Sequence, residues 1–508
     1  MAALVRLAFW NGPFGSDDLV YLDRAIEISR SVWSSSNYNG ALRYGFNIPA
    51  GMFVRAFGIS DVTVNLWPLV CSLGEIVVVY AVAHAAFGSR AALFSSIVLA
   101  FTPLHVAVAT RIHADPVVSF FLSLSFALLF FAERTRSTRL YWLTGMAMGA
   151  VFWTKELAVA TLLAFAAYPA VVRRLDVRWC YVVAGGVAML AGHLLLMTAI
   201  AGDPFHVFKV VLDATNRSFV QEGLGEDGAW YYFRYLFIDI RHTWLAPLLA
   251  LVAIAYLVRH PVPRSNAEPA SRYIIFWLVS LVCVLSFLPV SLSPLRLAMK
   301  QSNYLTLFLA PIAILAGFVI ARIPRPIGHG LLAVTATGGL VLAAMEQQAY
   351  RVFTSNSKAI ATFAQEHPGA VIYGSVNNAN IARVVSSMTG DRALRTRVRV
   401  LSEADNRDSN PDPAASTEIF AAIDRETMAW GKGALVMEKA PNCWTSAQPI
   451  VPTGFGLGRD VSVGLRDVAG KLPGSIGARA ALVLGRLADP APAELYRVDG
   501  PFLWCKPA

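Results

Sequence analysis

Apolar runs long enough to cross a bilayer recur throughout the chain before about residue 348, and a soluble fold has no use for so many. Read for stretches of roughly 17 to 25 apolar residues, the sequence offers about ten. They lie near 62–87, 91–109, 116–132, 140–154, 157–172, 179–200, 244–258, 274–292, 304–321 and 330–347. Composition agrees, since 56% of the 508 residues are hydrophobic and only 15% charged, outside the range of soluble domains. The formal charge of +10 would suit a nucleic-acid partner, but the arginines gather in short segments between apolar runs. That pattern follows membrane topology and excludes a nucleic-acid face.

The segments after the first, third, fifth, seventh and ninth runs are the Arg-rich ones, as at Arg134, Arg136 and Arg139 or Arg173, Arg174 and Arg178. By the positive-inside rule they are cytoplasmic. Segments 11–61, 110–115, 201–243 and 293–303, and everything after about 348, then face the other side. The opening "MAALVRLAFW" is too short to span, yet sidedness asks for a crossing before Asn11 if the chain starts in the cytoplasm. The expectation is a start inside a longer first helix; an amino terminus already outside is the alternative, and a cleaved signal peptide fits poorly. An impermeant thiol reagent at a substituted Ser357 would report the sidedness.

After Tyr350 the apolar runs shorten, and Asp, Asn, Pro, Gly and Arg become frequent. "KAIATFAQEHPGAVIYGS" predicts a helix, a Pro-Gly turn and a buried strand, while "GALVMEKA" and "PFLWCKP" predict further strands. A small α/β domain over 348–508 follows. Of the five cysteines, Cys443 and Cys505 fall in this domain, and an oxidising compartment would let them pair as a disulfide.

The first outward loop, 11–61, carries "DDLVYLDRAIEISRSVW". Leu19, Leu22, Ile26 and Trp33 recur at near-helical spacing, predicting a helix along the membrane surface with Asp17 and Asp18 at its start. The positive end of a helix dipole favours carboxylates there, so helix capping accounts for the pair as readily as chemistry does. "RIHADP" sets His113 and Asp115 on the second outward loop, where Asp115 before Pro116 also suits a helix start. Lys155, in "FWTKELA", falls at an outward turn, and Arg296 and Lys300 precede the ninth run. Snorkelling to the interface is the alternative for all three cations.

The order of "DDLVY", "RYGFNIPAGMFVRAFGIS", "TRIHADPVVSFF", "GAVFWTKELAVATLL", "GAWYYFRYL" and "MKQSNYLTLFLAPIAIL" resembles that of the GT-C glycosyltransferases. More narrowly, it resembles the bacterial members related to protein O-mannosyltransferases and lipid A aminoarabinose transferases. The resemblance implies a polytopic α-helical membrane protein with about 10–11 transmembrane helices over 1–347, followed by the extracytoplasmic α/β domain. It also implies a glycosyltransferase of a bacterial inner membrane, taking a sugar from a polyprenyl-phosphate-linked donor with inversion. The acceptor would be a glycan, lipid or protein. Asp17 matches the general base, and Asp18 stands where the family usually has Glu. Lys155 matches a lysine for the donor phosphate, with Lys300 and Arg296 as further candidates. Arg43 or Arg55 would substitute for the lysine that relatives carry beside the first-loop proline, where this chain has Asn47 before Ile48 and Pro49. Asp115 and His113 stand where the family often has a carboxylate near the donor or a divalent cation. Trp230, Tyr231, Tyr232 and Tyr304 are candidates for an acceptor or lipid groove, although an interfacial aromatic belt accounts for the first three equally.

Two other classes remain open. A transporter would place ionisable residues at mid-membrane and show repeated halves, whereas here charges collect at span ends and no repeat is visible. An anchored sensor would need neither ten spans nor a structured first loop.

Overall fold

The computed structural model describes residues 1–15, 17–156, 158–171, 176–220, 228–260, 267–293, 295–401, 418–424, 444–472 and 474–498. Cys443 and Cys505, and the strands expected in "GALVMEKA" and "PFLWCKP", lie outside the described residues. The chain divides into two compact units. The first comprises Met1–Ala8, Arg24–Gly58 and Val62–Ala343, and the second Phe9–Asp23, Ile59–Asp61 and Ala344–Ala508. The second unit therefore takes in part of the first loop, including Asp17 and Asp18.

The helices begin with α1 (Ala2–Ala8), α2 (Asp18–Ser29), α3 (Tyr44–Phe57), α4 (Asp61–Phe87), α5 (Ser89–Ala100), α6 (Pro103–Val108), α7 (Asp115–Thr135) and α8 (Thr138–Thr154). They continue with α9 (Ala158–Ala166), α10 (Tyr168–Val171), α11 (Trp179–Ala201), α12 (His206–Val220), α13 (Tyr231–Phe237), α14 (Ala246–Arg259), α15 (Ala267–Phe287), α16 (Thr306–Arg322) and α17 (Arg325–Glu366). Among the described residues six helices are long and apolar enough to cross a membrane, and three shorter apolar helices accompany them. The protein is a multi-pass membrane protein.

Three of the expected spans differ in detail, and one of them, 157–172, is divided at Ala167 into α9 and α10. The run 91–109 is broken at Phe101 and Thr102, because Pro103 opens α6 and cannot continue a preceding helix. The run 274–292 ends as helix at Phe287 and turns into an antiparallel hairpin, β1 (Pro289–Leu292) with β2 (Leu295–Leu297).

Helix α16 is buried from Thr306 to Ile320, as expected of a helix apolar on every face. Its Gly317 meets α5 so closely that an added Cβ would lie 2.2 Å from the Ser95 hydroxyl. Helices α8 and α11 cross through "GMAMG", residues 145–149, where a Cβ on Gly145 would stand 2.0 Å from the Val182 carbonyl oxygen. Small residues allow such contact in a membrane, where packing rather than hydrophobic burial drives helix association.

In the second unit a five-stranded mixed sheet runs in the order β4-β3-β5-β7-β6. Its strands are β3 (Ala370–Gly374), β4 (Val398–Val400), β5 (Glu418–Ile423), β6 (Trp444–Ile450) and β7 (Ala493–Val498). β3 is parallel to β4 and β5, and β7 is antiparallel to β5 and β6. Alternate residues feed two cores, Ile372, Phe420 and Leu495 on one face and Val371, Tyr373 and Ile423 on the other. This is the expected α/β domain. Ser357 is wholly buried on α17, which makes it a poor position for labelling.

Candidate active site

Helix α8 stops at Lys155, whose backbone is extended at φ −159 and ψ 138. That break turns the ammonium inward, leaving the residue 4% exposed. Gly45 on α3 lies against the end of α8, where a Cβ would come within 2.3 Å of the Thr154 hydroxyl. Lys155 Nζ donates to Asp115 Oδ1 at 2.6 Å and lies 4.5 Å from the centre of the Tyr304 ring. The other oxygen of Asp115, Oδ2, receives Asn303 Nδ2 at 2.6 Å and faces His113 Nδ1 at 2.5 Å. Asp115 opens α7 with Pro116 behind it, but its carboxylate is directed to these three side chains. Burial alone would discharge Lys155, and the Asp115 carboxylate offsets it, so the ammonium is held above its ordinary range.

Beside this cluster Arg43 grips Glu156 with two bonds, Nη2 to Oε1 at 2.6 Å and Nε to Oε2 at 3.1 Å. Asn39 Nδ2 adds a third at 3.1 Å. Burial pushes the Glu156 carboxyl up, but Arg43 outweighs it and holds the group below its usual range. A depressed carboxyl stabilises the fold above its ordinary value of about 4.3 and loses that contribution as pH falls through the folded value. Arg43→Met should therefore lower the melting temperature at neutral pH, with the difference from the parent protein shrinking below about pH 4. Thermal melts of both proteins across that range check it. A constant difference would mean that Arg43 acts through packing alone.

Arg43, Lys155, Glu156, Trp153 and His193 line one chamber together with Phe152 and Phe208. The same two phenylalanines line a wider apolar groove of about 1080 Å³ between α8, α9 and α11. The structure thus brings His113, Asp115, Lys155 and Tyr304 into contact, with Arg43 lining the Lys155 chamber. Among the other candidates, Lys300 is 4% exposed and donates to the Ala298 carbonyl oxygen at 3.3 Å. Arg296 lies on β2, cross-strand from Ser291. Tyr232 is buried against Phe308, Tyr231 is half-buried, and Trp230 is 71% exposed. No group of three His, Cys, Asp or Glu side chains capable of holding a metal stands together among the described residues. With both oxygens of Asp115 engaged by nitrogen groups, Asp115 and His113 do not fit a cation site.

In the second unit Asp18 is the first residue of α2 and fully buried, and its Oδ2 accepts from Phe14 N at 2.7 Å. Asp17 is half-buried and stands at the cap position, its carbonyl oxygen taking the first helical bond from Tyr21 N at 3.1 Å. Gly15 sets up this entry with a φ of 93°, a conformation in which a side chain is strained; a Cβ there would also meet Ile381 at 2.8 Å. Phe14 stacks on Phe353 at 4.8 Å. The helix ends at Ser29, short of Trp33, which is 46% exposed.

Glu156 and Asn303 are site residues that the sequence marks only by their place beside Lys155 and Tyr304. The charges are not confined to span ends, since Glu75 is fully buried within α4. Glu75 is the one acidic residue between 62 and 87, a signal that was there to be read.

Comparison with known proteins bears on this arrangement. The model of the dolichyl-phosphate-mannose-protein mannosyltransferase family matches residues 49–195, the stretch that holds Asp115, Lys155 and Glu156. The apo structure of ArnT from Cupriavidus metallidurans is similar with a TM-score of 0.57 at 16% identity, over 84% of this chain and 92% of that one. The fold is that of the GT-C glycosyltransferases. The same ArnT bound to undecaprenyl phosphate gives a TM-score of 0.53 at 16% identity, with the same coverage. An oligosaccharyltransferase from Archaeoglobus fulgidus, in complex with Zn and sulfate, gives 0.53 at 10% identity, over 98% of this chain and 88% of that one. No curated protein sequence matches the chain.

Proposed function

We propose that this GT-C protein transfers a sugar from a polyprenyl-phosphate carrier to a hydroxyl acceptor on the extracytoplasmic side of a bacterial cytoplasmic membrane. The observation that carries the reading is the chamber holding Lys155 and Arg43, which shares Phe152 and Phe208 with the large apolar groove. A cationic head beside an apolar trough suits a ligand that is a phosphate on a long hydrocarbon. The relative bound to undecaprenyl phosphate and the matching mannosyltransferase family support the same class of donor.

In the reaction the acceptor oxygen bonds to the anomeric carbon as the carbon–oxygen bond to the carrier phosphate breaks. The acceptor proton passes to Asp17 as general base, and the charge released on the phosphate falls to the Lys155 ammonium. Attack opposite the leaving phosphate inverts the anomeric centre. Asp115 and Asn303 keep the ammonium in place. Transfer of radiolabel from a polyprenyl-phosphate sugar to a cell-envelope acceptor tests the reading, and substrate flux in sealed vesicles without transfer would replace it with transport.

Sidedness has its own test. Gln365, at the exposed end of α17, replaces Ser357 as the labelling position. An impermeant maleimide should modify Gln365→Cys in intact spheroplasts, and modification only after lysis would reverse the orientation.

A further inference from the structure

Glu75 is a buried acid that the proposed reaction leaves unused. Its Oε2 lies 3.2 Å from His105 Nε2 on α6. Its Oε1 accepts from Ser119 at 2.8 Å and Ser123 at 2.7 Å, both on α7. Arg6 Nη2 lies 2.6 Å from His105 Nδ1, and Arg6 Nε donates to the Ser72 hydroxyl at 2.8 Å. A guanidinium can only donate, so Nδ1 accepts, and the proton of the neutral ring sits on Nε2, where it is given to Glu75. The result is a charge-balanced line, Arg6 to His105 to Glu75, whose members are at most 2% exposed.

The two ends of this grip bracket one loop. His105 precedes residues 109–114 and Ser119 follows them, one helical turn beyond Asp115. Ser119 Oγ also lies 2.9 Å from the Thr306 carbonyl oxygen. The Thr306 hydroxyl donates to the Asn303 carbonyl oxygen at 2.8 Å, and Asn303 reaches Asp115. We infer that Glu75 is a positioning residue, a clamp that holds both flanks of the 109–114 loop and thereby sets Asp115, with Asn303, against Lys155. The inference rests on the reading of Lys155 and Asp115 as donor-site residues.

The test separates the clamp from mere charge burial by using paired variants. Arg6→Met/Glu75→Gln removes both charges but keeps the clamp, since the amide oxygen accepts from His105 and the amide nitrogen donates to Ser119. Arg6→Met/Glu75→Met removes charges and clamp together, and replacing both partners of a buried pair by apolar residues is tolerated better than the loss of one. Ser119→Ala/Ser123→Ala removes the α7 half of the clamp and leaves the charges in place. Two readouts are taken on folded, detergent-purified full-length protein: sugar transfer with its kcat and KM, and deuterium exchange of residues 109–114.

The Gln pair should stay within about threefold of the parent rate, while the Met pair loses about 10- to 100-fold in kcat/KM, as misplacement by an ångström does. Exchange across 109–114 should quicken in the Met and Ala pairs alone. Equal exchange and equal transfer in the Gln and Met pairs would overturn the clamp and leave Glu75 a structural residue. If the parent protein transfers no sugar from any polyprenyl-phosphate donor, the glycosyltransferase reading falls by itself, and the exchange readout still decides the clamp.

Discussion

Lys155→Met should lower sugar transfer by orders of magnitude and also loosen the protein, and the two losses can be told apart. The ammonium lies 2.6 Å from Asp115 with both side chains almost wholly buried. Removing one member leaves the carboxylate uncompensated, which costs about 3–5 kcal/mol in buried pairs. Asp115 keeps His113 and Asn303 as neighbours, so the loss should fall at the lower end. The chemical loss is separate, since taking a preorganised charge from the leaving group commonly lowers turnover by about 10²- to 10³-fold. Lys155→Met/Asp115→Asn removes both charges, and it should recover most of the melting temperature while staying inactive. Melting and turnover of the single and double variants decide between the roles. Recovery of turnover in the double variant would make Lys155 a structural cation.

That pair also marks how far the sequence could be read. Lys155 and Asp115 were each legible, because an ionisable residue at the end of an apolar run stands out against its neighbours. Their contact was not, since 40 residues separate them and nothing local states which helix ends meet. The helical spans were legible for the opposite reason: a membrane helix satisfies its backbone within itself, so length and polarity suffice to find it. Where the reading slipped, a local signal had been outweighed by the apolar average. Pro103 breaks the run 91–109, and Glu75 in α4 is visible as a lone acid but scarcely alters the average polarity of a 27-residue helix. Asp17 and Asp18 stand at a helix start as expected, yet their grouping with the second unit goes with Phe14 meeting Phe353 and Gly15 meeting Ile381 over long sequence separations.

Asp17→Asn should lower transfer by about 10²- to 10⁴-fold, the range for loss of a general base. The amide has nearly the same size and can still cap α2, so folding should be untouched. The main-chain bond from Tyr21 N to the Asp17 carbonyl oxygen is indifferent to the side chain. What the amide lacks is the capacity to take the acceptor proton at neutral pH. Asp18→Asn is the natural comparison, because its oxygen can still accept from Phe14 N and only the charge of a fully buried group is lost. If Asp17 is the base, its variant is far the slower of the two while binding the lipid donor about as well as the parent, since the proposed reaction assigns the donor phosphate to Lys155. Turnover and undecaprenyl-phosphate affinity measured on both variants check this. An Asp17→Asn protein with near-parental turnover would reduce Asp17 to a helix cap and move the search for the base to another carboxylate.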